Sequence, residues 1–170
     1  GRTQAPQDVP TERVLRPAPG DTLHAVGDWS LVCVATGAPD EEASGENDRS
    51  LVVCLYGYGR PRGLWTGDLE TAGERDLLAR WPHLAPQGLE VLKAGHHGSR
   101  TSSSPGFLAA LRPATVLISC GLENRHRHPS HGPFMCDGDT LPGLRTDLDG
   151  TLIVRWRDAG PPQIVPGGGS

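Results

Sequence analysis

Apolar residues cluster in short runs separated by glycine, proline and polar turns, the signature of strands rather than a helical bundle. The runs predict six strands, at Trp29 to Ala35, Ser50 to Tyr56, Gly63 to Thr66, Leu89 to Lys93, Thr115 to Ser119 and Thr151 to Trp156. Two segments carry helical spacing instead. From Thr71 to Trp81, Leu77, Leu78 and Trp81 share one face; from Ser104 to Leu111, Ser104 is placed to cap and Pro105 to occupy the first turn. Strands alternating with helices predict an α/β domain.

A chain of 170 residues suffices for one domain with a core of its own. Residues 1–19, polar and broken by Pro6, Pro10, Pro17 and Pro19, read as a leading segment outside that core, and residues 161–170 as a flexible tail or linker. The domain is expected over 20–160. Asp40 to Asp48 reads as an exposed acidic loop. No run approaches a transmembrane helix, so the segment is expected to be soluble and not to insert into a membrane itself.

A net charge of −4 excludes a uniformly basic nucleic-acid binder, but its distribution is uneven. Residues 1–90 carry −6 and residues 91–170 carry +2, and Arg100, Arg112, Arg125, Arg127, Arg145, Arg155 and Arg157 all lie in the second part. They line a phosphate path or form a solvated face. The four cysteines contain no Cys-x-x-Cys pair, and Cys33, Cys54 and Cys120 sit in apolar runs as small buried hydrophobes.

The chemistry concentrates at the ends of predicted strands. Thr66-Gly67-Asp68 puts a carboxylate after one strand, and Gly95-His96-His97-Gly98-Ser99-Arg100 puts two imidazoles between glycines after another. An aspartate and a histidine at neighbouring strand ends can share a zinc or manganese ion. Because side chains alternate along a strand, one of His96 and His97 is expected to be the ligand, with His97 favoured and His96 left to act on substrate. After a further strand, residues 119–131 bring Asn124, His126, His128 and His131; His128 and Asn124 suit a substrate phosphate better than a metal. Asn47-Asp48-Arg49-Ser50 precedes a strand, where its side chains either cap or turn the chain or place Asn47 or Asp48 at the border of the same cleft.

The ordered set Asn47-Asp48-x-Ser50, Thr66-Gly67-Asp68, Leu92-Lys93-x-Gly95-His96-His97-Gly98-Ser99, Ser119-Cys120-Gly121, Asn124, His128-Pro129 and Arg145-Thr146-Asp147-x-x-Gly150 resembles the C-terminal metallo-β-lactamase-like domain of the ComEC competence proteins. The resemblance runs from about Gly20 to Trp156. It implies an αββα sandwich attached to a membrane channel that imports single-stranded DNA, with one or two divalent metal ions serving phosphodiester hydrolysis of the strand that is not imported. On that reading Asp68 and His97 are metal ligands, His96 and His128 act in catalysis, and Asn47, Ser99, Arg100 and Asn124 contact the phosphate. Two other readings share the motifs: a non-catalytic DNA-binding or regulatory domain, and a small-molecule phosphodiesterase or esterase.

Two departures from the family pattern qualify this. The principal ligand run, His-x-His-x-Asp-His or His-x-Asp-x-Asp-His, belongs upstream of Gly20, and the chain contains none, so the resemblance covers the C-terminal portion of the domain. The chain alone is therefore expected to be a poor enzyme. Gly132, Pro133, Gly138, Pro142 and Gly143 also argue against a regular helix between Ser130 and Leu144, where the family has one.

Overall fold

The computed structural model describes residues 16–36, 45–130 and 132–167. The leading segment up to residue 15, most of the acidic loop (37–44), His131 and the last three residues lie outside these.

The main sheet has seven strands. In chain order they are β1 (Thr22–Val26), β2 (Trp29–Ala35), β3 (Val52–Gly57), β4 (Arg60–Trp65), β5 (Val91–Lys93), β6 (Thr115–Ile118) and, after two short strands, β9 (Gly143–Arg145). Their spatial order is β1-β2-β3-β4-β5-β6-β9. The first four pair antiparallel and the last four parallel, so the sheet is mixed. This is the α/β class that the pattern predicts.

The parallel half follows from its connections. Helix α1 (Thr71–Arg80) returns the chain from β4 to β5, and α2 (Pro105–Leu111) from β5 to β6, the two crossovers that parallel neighbours require. Helix α2 starts where the sequence places it: Ser104 Oγ accepts from Phe107 N at 3.4 Å, with Pro105 in the first turn. Helix α1 takes its cap from a distant segment, for Asp48 Oδ1 accepts the backbone N–H groups of Glu70 (2.9 Å) and Gly73 (3.2 Å).

Alternate residues of the strands face these helices. Val52, Cys54, Leu64, Leu92, Val116 and Ile118 are buried with Leu77, Phe107, Leu108 and Leu111, a period-two stripe meeting helical faces. Trp81 closes the cluster by donating from Nε1 to Val34 O at 2.8 Å.

Several elements differ from expectation. Strand β1 is absent from the predicted set because its residues are mostly exposed and carry little apolar signal. Strand β4 begins at Arg60, where Arg-Pro-Arg conceals a strand. Arg62 is nonetheless fully buried, because Glu90 Oε2 (2.9 Å) and the carbonyls of Ala159 (2.9 Å) and Gly160 accept its N–H groups. Part of the expected tail is ordered: β11 (Gln163–Gly167) pairs antiparallel with β10 (Thr151–Arg155), with Ile164 and Val165 opposite Val154 and Ile153. Those apolar cross-strand pairs outweigh the Pro-Gly signal. Between Ser130 and Leu144 the described residues form no helix, only the two-residue strands β7 (Met135–Cys136) and β8 (Asp139–Thr140) and the start of β9.

Candidate functional site at the carboxyl ends of the parallel strands

Because β4, β5, β6 and β9 run in parallel, the loops that follow them emerge on one edge of the sheet, where α/β folds place their ligands. The start of β3, antiparallel to β4, reaches the same edge. Asp68, His96, His97, His128 and Asn47 therefore meet there from four separate stretches of sequence.

The Thr66-Gly67-Asp68 turn is fixed by contacts with two of those stretches. Ser50 Oγ accepts from Asp68 N at 2.9 Å, and Gly67 O accepts from His96 N at 3.0 Å and Lys93 Nζ at 3.3 Å. Gly67 has φ +58°, and a Cβ there would lie 2.8 Å from Ser50 Cβ, so only glycine fits. Burial holds the Lys93 ammonium below its ordinary pKa, with Asp68 opposing that shift.

The two histidines depart from the alternation predicted for a strand. Strand β5 ends at Lys93, and His96 (φ 45°, ψ 47°) and His97 (φ 55°, ψ 26°) are both left-handed. Each such residue costs about 1–2 kcal/mol relative to right-handed backbone, and strain of this kind collects at functional sites. Gly98 (φ +81°) completes the turn against Pro129 and Ile118, which a Cβ would meet at 2.7 and 3.2 Å. Both imidazoles therefore reach the cleft, with different partners.

His97 Nδ1 lies 2.7 Å from Ser119 O, which can only accept, so Nδ1 carries the proton. Nε2 faces Asp68 Oδ1 at 3.8 Å. In neutral His97 these are two lone-pair donors aimed at a common space. His96 instead places Nδ1 3.2 Å from Glu70 Oε1. The same oxygen accepts from Thr101 Oγ1 (2.8 Å) and Asn47 Nδ2 (3.2 Å). Glu70 is held below the usual carboxylate pKa by Thr101 first, then by Asn47 and His96, against the opposing effect of burial.

Glu70 is the residue that sequence reasoning missed. Its only signal is its place two residues after Asp68, just before α1, and no motif marks it. Of the predicted phosphate contacts, Asn47 borders the cleft through its contacts with Glu70 and His96, and Arg100 is exposed. Ser99 is buried and its Oγ lies 3.0 Å from Thr101 Oγ1, so it braces the loop. Asn124 is likewise committed: Oδ1 accepts from His128 N (2.8 Å), and Nδ2 donates to His128 O (2.6 Å) and Gly121 O (2.9 Å).

His128 sits at the mouth, its ring centroid 5.6 Å from that of His96 and 5.7 Å from that of His126, with which it stacks at 14°. Burial, and then the imidazoles of His96, His126 and His97, hold it below the ordinary histidine pKa. Cys120 is not the buried hydrophobe expected. It is part-exposed, and its Sγ donates to Asp147 Oδ1 at 3.1 Å. Arg145 grips Asp147 with two bonds, of 3.0 and 2.6 Å, and lowers its pKa to about 2.

The donor set tests whether a metal fits. Asp68 Oδ1 and His97 Nε2 have the chemistry and the orientation, and the bond from Nδ1 to a backbone carbonyl is the usual support for a liganding imidazole. A catalytic zinc site needs at least three protein donors. Among the described residues no group of three or more histidine, cysteine, aspartate or glutamate side chains is placed to hold an ion. Asp68 and His97 thus supply two donors, one fewer than such a site needs.

Fold and loops together define an α/β domain with a histidine- and carboxylate-lined cleft at its parallel strand ends. The chain is 33% identical over 153 residues to ComE operon protein 3 of Bacillus subtilis, covering 89% of this chain and 18% of the relative. It is 40% identical over 111 residues to competence protein ComA of Neisseria gonorrhoeae, covering 63% of this chain and 15% of that protein. It is 36% identical over 86 residues to recombination protein 2 of Haemophilus influenzae, covering 51% and 10%. Over the aligned residues the chain belongs to the ComEC family of competence proteins. It spans less than a fifth of the length of these relatives. No family model matches it. Among the described residues no helix is long and apolar enough to cross a membrane.

Proposed function

We propose that this segment is the C-terminal part of a metallo-β-lactamase-like αββα domain in a ComEC-type DNA-uptake protein, and that its cleft serves metal-dependent hydrolysis of a DNA phosphodiester. The observation that supports this reading is the pair Asp68 Oδ1 and His97 Nε2, 3.8 Å apart at adjacent strand ends, with the His97 proton tied to Ser119 O. Two electron-pair donors so placed suit a shared zinc or manganese ion. The remaining donors come from outside the described residues. A divalent ion bound there would activate water and offset charge building on the phosphate.

The chain's own residues do the rest. The Nδ1 bond turns His97 so that its lone pair faces Asp68. Glu70, with Thr101 and Asn47, orients His96 with Nδ1 inward, which frees Nε2 for a phosphate oxygen or the leaving group. His128, whose pKa is lowered by burial and then by the neighbouring imidazoles, sits at the mouth. Arg100, on the same loop as both histidines, adds a cation for a non-bridging oxygen.

The test is digestion of single-stranded DNA with added manganese or zinc, by this chain and by a form extended upstream in its reading frame. The reading expects little activity from the chain alone, cleavage by the extended form, and loss of that cleavage in Asp68→Ala and His97→Ala. Cleavage unaffected by either substitution refutes it; binding without cleavage in every metal leaves a DNA-contacting role in its place.

A further inference from the structure

Beside the candidate metal edge, the loop after β6 and the start of the segment after β9 enclose a second cleft of about 450 Å³. Its lining includes Arg125, Arg127 and Arg145 with His128, against the carboxylates of Glu123 and Asp147. Asp147 is already committed to Arg145 through two hydrogen bonds, and that fork leaves three of the five guanidinium N–H groups of Arg145 unused by Asp147. In a chain of net charge −4 this is a local concentration of cations.

The structure separates these arginines from two others in the second part of the chain. Arg112 caps the far end of α2 and donates to Pro86 O at 3.0 Å, and Arg155 lies on the β10–β11 hairpin. Arg125 and Arg127 are exposed on a loop braced by Asn124, which bridges Gly121 and His128 with three hydrogen bonds, and Arg125 Nε donates to His126 Nε2 at 2.8 Å. Arg127 stands at φ 55°, where glycine would be free of strain and an arginine is not. Its side chain is exposed and makes no hydrogen bond or ion pair with the described residues, so it is available to a ligand.

The same loop offers flat and apolar surface. His126 and His128 stack at 14°, His126 is exposed, and Leu122 is 75% exposed. Cations for phosphates beside a stacked ring pair and an exposed apolar side chain for bases are what proteins use to hold an unpaired strand.

We propose that the loop Gly121–Pro129, with Arg145, is a clamp for single-stranded DNA that takes phosphates on Arg125, Arg127 and Arg145 and unpaired bases on His126 and Leu122. This deepens the hydrolase reading by naming how its substrate is gripped, and it is separable from that reading because the clamp uses neither Asp68 nor His97.

The experiment is a fluorescence-anisotropy titration of the 170-residue chain with a labelled oligothymidylate in a chelator, repeated across salt concentrations. Removing one arginine–phosphate pair lowers the slope of log affinity against log salt by about 0.7. A fourfold rise in salt should therefore cost Arg125→Ala or Arg127→Gly roughly 2.6-fold less affinity than it costs the parent. Both variants should bind more weakly, whereas Arg112→Ala and Arg155→Ala keep the parent slope, and a duplex of equal length should bind less well than the single strand. Arg127→Gly should also leave the thermal midpoint unchanged or raised, which a structural role for Arg127 would reverse.

Unchanged slopes in the two loop variants, equal losses in the two controls, a duplex bound as tightly, or capture by anionic vesicles with the oligonucleotide ignored each overturn the clamp. No cleavage is read, so a failed hydrolase reading leaves this result standing. A failed clamp likewise leaves the metal edge untouched.

Discussion

Replacing Gly67 by alanine should damage the fold and the site together. The backbone at Gly67 is left-handed, and the added Cβ would lie 2.8 Å from Ser50 Cβ and 2.9 Å from Ser50 Oγ, closer than real contacts allow. Left-handed backbone costs an L-residue about 1–2 kcal/mol, and overpacking adds about 1–3 kcal/mol. Ser50 can yield only by giving up its hydrogen bond to Asp68 N, so a loss of about 2–5 kcal/mol is expected. For a domain of this size that lowers the melting temperature by about 4–20 °C. Urea denaturation measures the stability, and amide exchange at Asp68 reports whether the turn has opened. Gly106→Ala in α2, with no atom within 4 Å of the new Cβ, is the control and should be neutral or stabilise by up to about 1 kcal/mol. A Gly67→Ala loss below about 0.5 kcal/mol, or an Asp68 amide still protected, would mean that the turn does not need glycine.

Three further outcomes follow from buried and paired charges. Glu90→Ala should cost about 3–5 kcal/mol by urea denaturation, because it leaves the fully buried Arg62 guanidinium without its carboxylate. Burial raises the Glu74 pKa although backbone N–H groups of Ser103 and Ser104 bond its carboxylate. The folded state therefore holds this proton longer than the unfolded one, so stability falls as pH rises from the ordinary glutamate value through the raised one, and Glu74→Gln should flatten that slope. Asp147 has the opposite sign: with a folded pKa of about 2, its contribution is present above the ordinary aspartate value and is lost as pH falls towards 2. Arg145→Ala should remove that acid-range dependence, worth on the order of 1 kcal/mol after screening.

Much of the sheet was legible because apolar runs between glycine and proline mark strands whatever they pack against. Strands β2, β3, β5, β6 and β10 and helices α1 and α2 follow that rule to within a few residues. Arg60-Pro61-Arg62 did not, since what makes it a strand is Glu90 and two carbonyls near residue 160, a long-range compensation that no local window contains. Strand β11 was hidden for the same reason, its partner being β10 rather than its own composition. In the cleft, His96 and His97 could be named because polar residues between glycines after an apolar run have few structural uses, Asp68 because it ends a strand, and Asn47 because it sits in a polar run just before one. Their division of labour could not. Alternation assumes a strand, whereas His96 and His97 are consecutive left-handed residues that send both rings into the cleft. Glu70 and Asp48 act only through tertiary contacts, one on His96 and the other on the start of α1.

The proposed metal edge is open to a manganese titration of this chain, followed by paramagnetic broadening of its NMR resonances. Weak binding is expected, with the earliest broadening on Asp68 and on the His97 ring at Nε2, and with that broadening abolished in His97→Ala. Broadening centred elsewhere on the chain, or unchanged in His97→Ala, would show that Asp68 and His97 do not share an ion.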